Sequence, residues 1–362
     1  MSENSDKIAH RPSPNAQRPT PNAQRPTPNG NSCPKFSVIV PAYNTEAYIA
    51  RCLDSLVNQD IPERNYEILI TDDGSTDKTG AICDTYAAKY PFIHVTHTSN
   101  HGVSHARNTA LEKCRGEYVM FCDSDDFVSP QMFSVMTRAV EVFGEPDMMI
   151  YGLAGELPGG KWPVYDAGAM SEADGRFCTA EEVCMNIFTD RKTRGYSPNK
   201  AMKRELALSA RYDEELYLFE DEHYFMSVLT RNMNARVCYL DYRLYCYFQH
   251  QGPRLLAHMS RIRTDEDLPP DIKASEKMLA LPGLPPAVAQ EIEGRNYMIA
   301  AQCVFSNPVP INPGAYARLR EYLRKFAGTY YFRNKGSSSY VKFKTLVKHI
   351  LILLGIRKPR RK

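Results

Sequence analysis

The chain has 362 residues, 43% of them hydrophobic, enough for a large core plus an accessory region. Its net charge of +3 conceals basic ends and an acidic middle. Residues 1–35 carry five basic and two acidic side chains, residues 333–362 carry ten Lys or Arg and no acid, and residues 36–332 hold 30 basic against 40 acidic, a net −10. A nucleic-acid-binding body needs a basic face of its own, so no nucleic-acid partner is expected.

The ten cysteines are scattered without a CxxC pair, which fits neither a disulfide scaffold nor a zinc site. They read as small buried hydrophobes in a reducing, cytoplasmic setting. No signal-peptide pattern opens the chain, and no uncharged apolar run approaches the ~18 residues that cross a bilayer. A soluble or surface-bound protein is expected.

Residues 11–30 repeat RPSPNAQ, RPTPNAQ, RPTPNG, with too little apolar surface to bury and too many prolines for a helix. Residues 1–34 therefore read as a disordered Pro-rich tail. From Phe36 the texture changes to short β-branched and aromatic runs at Phe36–Val40, Tyr66–Thr71, Phe92–Thr96 and Glu117–Cys122. Helical patterns separate them: Tyr48, Ile49, Cys52, Leu53 and Leu56 share one face, a second helix runs over about 77–88, and a third over 104–114. Strands and helices in this alternation predict right-handed βαβ units and a parallel sheet. A fifth strand is predicted at Asp147–Leu153, followed by a Gly- and Pro-rich excursion through Gly175. Helices are then expected near Thr179–Phe188 and Asp221–Arg231, with two strand-like pieces at Ala235–Tyr239 and Tyr242–Phe248. Beyond about 270 only helices are expected. The domain reading is a catalytic domain at 35–260, a helical accessory region at 261–339 and a basic amphipathic tail at 340–362.

Each unusual polar cluster follows the carboxyl end of a predicted strand: Pro41-Ala42-Tyr43-Asn44, Asp72-Asp73-Gly74-Ser75, Asn100-His101-Gly102 and Asp123-Ser124-Asp125-Asp126. In an open parallel sheet, that edge is where ligands bind. Five aspartates converging there would repel, by about 4 kcal/mol for two charges 4 Å apart at an effective dielectric near 20, unless a cation or protons compensate. Hard carboxylate oxygens suit Mg²⁺ or Mn²⁺ shared with substrate phosphates. Ordinary polar turns are the plainer explanation of either Asp-rich motif taken singly.

The stretches FSVIVPAYNTEAYIARCLDSLVNQ, EILITDDGSTDKT, NHGVSHARN and GEYVMFCDSDDFVSP together resemble the family 2 glycosyltransferases, closely over residues 36 to about 150 and loosely to about 255. The resemblance implies an A-type glycosyltransferase fold: an α/β, Rossmann-like, mostly parallel sheet flanked by helices, here with a helical C-terminal region. It implies a UDP-sugar donor whose uridine sits on Pro41, Tyr43 and Asp73, with Asn44, Asp72 and Ser124 in the same nucleotide-sugar site. Asn100 and Arg107 would close the nucleotide pocket, although a structural salt bridge is the plainer reading of Arg107. Asp123 would lie near the ribose and Asp125 would hold Mn²⁺ or Mg²⁺, with His250 as a further candidate near the diphosphate. Glu220 and Asp221 resemble a Glu-Asp pair that opens a helix beneath the acceptor site. Asp221 would then be the general base of an inverting transfer. Both acids also suit the positive end of a helix without any catalytic role. Asn199 and Lys200 are expected to border the acceptor pocket. The chain lacks the Gln-x-x-Arg-Trp element of processive synthases, so transfer of one sugar to a saccharide or lipid-linked saccharide is expected, in cell-surface polysaccharide or glycoconjugate assembly.

Phe343, Leu346, Val347, Ile350, Leu351 and Leu354 recur at helical spacing between lysines, and Arg357-Lys358-Pro359-Arg360-Arg361-Lys362 follow. This predicts peripheral contact of 340–362 with an anionic membrane, against the alternative of packing on the protein. Three other classes compete: an inactive nucleotide- or glycan-binding module, a nucleotidyltransferase, and a dinucleotide-binding dehydrogenase. The last two would show Gly-rich phosphate loops after the first strand, where this chain has PAYN.

Overall fold

The computed structural model describes residues 33–155, 157, 161–189, 195–248, 269–306, 314, 317–321 and 323–324. The repeat at 11–30, His250 and the tail at 340–362 lie outside the described residues.

Nine strands form one sheet: β1 (Phe36–Ala42), β2 (Tyr66–Asp72), β3 (Ile93–His97), β4 (Tyr118–Phe121), β5 (Phe127–Val128), β6 (Met148–Ala154), β7 (Gly175–Cys178), β8 (Lys200–Lys203) and β9 (Val237–Cys246). Their order is β3-β2-β1-β4-β8-β6-β9-β5, with β7 also paired to β9. The first four strands are parallel as predicted, in a register that sets Ala42 opposite Asp72, Asp72 opposite His97, and Ile39 opposite Phe121. The polar segments that follow them therefore leave one edge of the sheet.

The other half departs from the expected pattern. β8 runs antiparallel between β4 and β6. Only four residues long and flanked by lysines, it carries no strand signal of its own. The two strand-like pieces expected near 235–248 are one ten-residue strand, β9. Its register against β6 shifts between Tyr151 and Leu153, leaving extra residues beside Asp241 where the sequence pattern breaks.

Helices cover both faces: α1 (Ile49–Val57), α2 (Thr79–Lys89), α3 (Val103–Leu111), α4 (Met132–Val142), α5 (Ala180–Thr189), α6 (Arg204–Ala207), α7 (Glu220–Arg231), α8 (Pro270–Leu279) and α9 (Pro286–Ser306). Alternation along the strands splits the core in two. Phe36, Val38, Val40, Ile68 and Met120 pack with α1 and α4 on one face. Ile39, Leu69, Val119 and Phe121 pack with α5 and α7 on the other, and Met278, Val288 and Ile292 of α8 and α9 belong to that same layer. No described helix is long and apolar enough to cross a membrane. The cysteines from Cys52 to Cys246 are free and buried, as their scattering suggested.

Gly116, just before β4, shows how closely the central strands fit. A Cβ there would collide with the backbone of Phe36 and Ser37, while Gly116 N donates to Ser37 Oγ at 2.7 Å. Ser37 in turn donates to the buried Glu67 at 2.6 Å, and Arg115 clamps the same carboxylate through Nε and Nη2 at 2.9 and 2.6 Å. Burial opposes ionisation of Glu67, but these donors outweigh it and hold the carboxyl below its usual range. Gly116→Ala is expected to destabilise the protein by about 1–3 kcal/mol, the usual cost of overpacking. Urea unfolding should show a lowered midpoint with an unchanged slope, and an unchanged midpoint would mean that β1 yields without cost.

Candidate active site

The loops after β1, β2 and β3 brace one another. Asn44 holds a left-handed backbone (φ +51°); its N–H donates to Ser75 Oγ at 3.0 Å and its Oδ1 accepts from Thr76 N at 2.8 Å. Asp72 accepts from Ser75 N at 3.2 Å and bonds His97 Nδ1 at 2.8 Å, while His97 Nε2 meets Asp84 at 3.1 Å. Hydrogen bonds to Asp72 and Asp84 push the His97 imidazole above its ordinary value. Asn44 and Asp72, read from sequence as nucleotide ligands, spend these contacts on shaping the loops.

Asp73 is buried, and its carboxylate accepts from His101 N at 3.0 Å, Gly102 N at 2.7 Å and Thr98 Oγ1 at 3.1 Å. It thereby fixes the entry to α3, where Gly102 has φ +93°. A carboxylate has about four lone-pair sites, so one more donor can still be accepted. Gly74 adopts φ +74°, and a Cβ there would lie 2.7 Å from Asn100 N. Any side chain would push the two loops apart. Pro41 is buried as the next-to-last residue of β1, and Tyr43 and Asn100 are exposed on the loops that follow β1 and β3.

Arg107 of α3 is the hub that joins the two halves of the chain. It is buried, and its Nη1 donates to Asp221 Oδ1 at 2.7 Å and Glu220 Oε1 at 3.1 Å, while Nη2 donates to Asp123 Oδ1 at 3.0 Å. Its guanidinium also lies 5.2 Å from the Tyr212 ring centre. Burial disfavours the Arg107 charge, but Asp221 and Asp123 more than offset that and raise its pKa. The plainer reading, a fixed ion pair, is thus present, and its partners are the candidate catalytic acids themselves. Burial raises Asp123, with Asp221 and Asp125 adding to the effect and Arg107 opposing it. Glu220 is likewise raised by burial and by Asp221, again against Arg107.

Asp221 sits in the first turn of α7, which begins after Phe219 in a left-handed conformation (φ +63°). Such a backbone costs a non-glycine residue about 1 kcal/mol or more, so the surroundings must hold it. Arg295 of α9 does so: its guanidinium donates to Glu222 at 2.8 Å and lies 5.3 Å from the Phe219 ring and 5.4 Å from Phe188. Besides Arg107, Asp221 accepts from Ser197 Oγ at 2.7 Å and Ser197 N at 3.2 Å, and Ser197 Oγ bonds Tyr212 OH at 2.6 Å. Every partner of Asp221 named here donates, so the carboxylate is presented as an acceptor.

The Asp-rich loop is fixed from behind. Asp126 accepts from Tyr245 OH at 2.5 Å and Phe248 N at 2.8 Å, and Tyr245 OH also accepts from Asp123 N at 3.1 Å. Burial, then Asp123, raises the Asp126 carboxyl to about 8. Arg51 donates to the Asp125 carbonyl at 2.7 Å, with its guanidinium 4.7 Å from the Phe127 ring and 4.0 Å from Phe248. Ser124 is buried within the loop. Among the described residues no three His, Cys, Asp or Glu side chains form a metal cage.

Asn199 and Lys200 do not border a pocket, because both are fully buried. Lys200 Nζ donates to the Tyr196 carbonyl at 2.5 Å and to Asn199 Oδ1 at 2.7 Å, 4.5 Å from the Phe225 ring. Burial pulls its pKa down to about 7, with Asp221 and Glu222 opposing. The pair supports the Tyr196–Ser197 segment from beneath. Ser197, Tyr212, Tyr245 and Arg295 went unnoticed in the sequence, where each is an isolated polar residue in an otherwise ordinary stretch.

Known proteins share part of this sequence and its fold. Residues 37–150 match the family described as Glycosyl transferase family 2. EpsH of Bacillus subtilis is 33% identical over 224 residues, which cover 60% of this chain and 61% of EpsH. EpsJ of the same organism is 43% identical over 108 residues, 30% of this chain and 31% of its own. The chain therefore spans about a third to three fifths of these curated relatives. The crystal structure of Staphylococcus aureus TarS 1–349 in complex with UDP shares the fold, with a TM-score of 0.57 at 23% identity over 88% of either chain. The strand-end motifs of residues 37–150, gathered at one edge of the α/β sheet, are thus the part of the chain that matches the family 2 glycosyltransferases.

Proposed function

We propose that the protein transfers one sugar from a UDP-sugar to a saccharide or lipid-linked saccharide acceptor, with inversion, in the assembly of a surface polysaccharide or related glycoconjugate. The observation that carries this reading is the joining of Asp221 to Asp123 through Arg107 at the sheet edge. A proton acceptor is thereby held beside the loop expected to receive the donor. Asp221 takes the proton of the acceptor hydroxyl as that oxygen attacks the anomeric carbon, and the sugar–phosphate bond breaks on the opposite face. One displacement inverts the centre. The UDP held by TarS supports uridine as the donor base, with Tyr43, the remaining lone pair of Asp73, and Asn100 as its contacts.

The donor set suits Mn²⁺ or Mg²⁺ shared with the substrate. One oxygen of Asp123 is committed to Arg107 and both of Asp126 are bonded, so the second Asp123 oxygen joins Asp125, the position that resembles the family's metal ligand. One or two carboxylates completed by phosphates is the usual arrangement for such ions. When bound, the ion would neutralise charge developing on the diphosphate. The acceptor reading extends to residues 340–362, whose basic and apolar residues suit peripheral contact with the membrane that would carry a lipid-linked acceptor.

The test is UDP release from a panel of UDP-sugars with added Mn²⁺ or Mg²⁺. One donor should stand out, and chelation or Asp125→Ala should each lower its turnover at least about tenfold. Full activity in excess chelator would remove the ion from the mechanism, and no release from any donor would overturn the transfer reading.

A further inference from the structure

Two exposed tyrosines that no catalytic role absorbs adjoin segments of this site. Tyr196 and Tyr247 are 36% and 41% exposed, and their rings are parallel, 7° apart with centres 6.0 Å from each other. Exposed aromatic side chains are ordinarily unremarkable singly; two held parallel on rigid backbone are not a scattered feature.

One is mounted on the segment that bonds Asp221, the other on the segment that bonds Asp126 of the Asp-rich loop. On one side, Tyr196 lies between Gly195 and Ser197. A Cβ at Gly195 would collide with Glu222, Lys200 holds the Tyr196 carbonyl, and Ser197 bonds Asp221 through backbone and side chain. On the other, Tyr247 N donates to the Ala154 carbonyl at 2.9 Å, and the next residue, Phe248, bonds Asp126. Burial raises the Tyr247 phenol, and Tyr196 and the carboxylates of Asp126, Asp123 and Asp125 raise it further.

Sheet order assigns this pair to one substrate. The loops proposed for the nucleotide follow β1, β2 and β3, on one side of β4. The tyrosines precede β8 and follow β9, which lie on its other side. We propose that Tyr196 and Tyr247 form the platform on which the acceptor lies, and that the acceptor is a pyranose rather than an acyclic polyol phosphate. This rests on Asp221 serving as the base of a sugar transfer. The weakly positive C–H groups of one pyranose face pack on the electron-rich face of an aromatic ring, which leaves the equatorial hydroxyls projecting sideways toward acceptors such as Asp221. An acyclic chain offers no such face.

Saturation-transfer NMR on the full chain with UDP bound tests this without knowledge of the natural acceptor. The probes are methyl β-D-glucopyranoside, methyl β-D-galactopyranoside, methyl N-acetyl-β-D-glucosaminide and ribitol 5-phosphate. At least one methyl pyranoside should receive saturation, strongest on the C–H groups of a single face, and ribitol 5-phosphate should not. Tyr196→Ala and Tyr247→Ala should each weaken that binding about fivefold to tenfold, and Tyr→Phe at either position should retain it, because the ring face and not the hydroxyl makes the contact. Signal from ribitol 5-phosphate alone, no signal from any pyranoside, or pyranoside binding untouched by both alanine variants would overturn the proposal. UDP release by the wild-type chain reports separately on the transfer reading, so failure of one is distinguishable from failure of the other.

Discussion

Replacing Asp221 with Asn is expected to lower turnover by about 10²–10⁴ while the donor KM stays within about twofold. The substitution keeps the volume and one acceptor oxygen, so Ser197 and Arg107 can retain part of their contacts. What it removes is the capacity to take a proton from the attacking hydroxyl. Uptake of the donor is proposed to rest on the loops after β1, β2 and β3, none of which bonds Asp221 in the contacts named above, hence the expected split between kcat and KM. Steady-state kinetics on the donor found in the panel give both values, and proton NMR of the product gives the anomeric configuration. Turnover within tenfold of wild type, or a product that keeps the donor's configuration, would exclude Asp221 as the base of an inverting displacement.

The second large effect is expected at Arg107. Arg107→Met fills similar volume but leaves Asp123, Glu220 and Asp221 without their shared counter-charge. Removing one side of a buried ion pair costs about 3–5 kcal/mol, and activity should fall below detection because the Asp221 carboxylate loses its clamp. The loss should depend on pH in a defined direction. Asp123 and Glu220 already have folded-state values raised by burial, and Arg107 is what opposes that rise. Without it both rise further, so the folded variant binds protons more tightly than the unfolded chain. Stability from such groups is present at low pH and lost as pH rises through the folded value. The deficit relative to wild type should therefore widen between about pH 5 and pH 8. Urea unfolding at several pH values measures it, and Glu220→Gln added to Arg107→Met should recover part of the loss by deleting one of the unpaired charges. A deficit that is flat or shrinks with rising pH would mean that Arg107 contributes packing and not charge.

The legible parts of this fold were those carried by local pattern. β1 to β4 announce themselves through β-branched runs, and their strand-end motifs are contiguous, so the edge that gathers Asp73, Asp123 and Arg107 could be placed from the sequence. Asp221 was legible because it stands with Glu220 at the opening of a helix. The supports of these residues were not. Tyr245 reaches Asp126 across 119 positions, and Arg107 meets Asp221 across 114; neither pairing leaves a trace in spacing or periodicity. Lys200 was misplaced for a related reason: a lysine is presumed to face water, and its burial is explained by partners the sequence does not reveal, among them the Tyr196 carbonyl, Asn199 and the Phe225 ring. β8 was missed because four residues inserted antiparallel between distant strands depend on their neighbours and not on their own propensity.

The brace that Arg295 makes between α9 and the start of α7 bears on how portable the catalytic half is. Residues 37–150 match the family model and invite grafting as a cassette, yet Asp221, the proposed proton acceptor, lies outside that stretch. Phe219 holds its unfavourable backbone under a guanidinium supplied from more than seventy residues downstream. A chimera that joined this sheet edge to another protein's C-terminal helices would inherit the donor loops intact. It would also inherit a Glu220–Asp221 turn free to relax out of register. Swapping specificity within this lineage therefore calls for exchanging α7 together with the helix that carries its arginine.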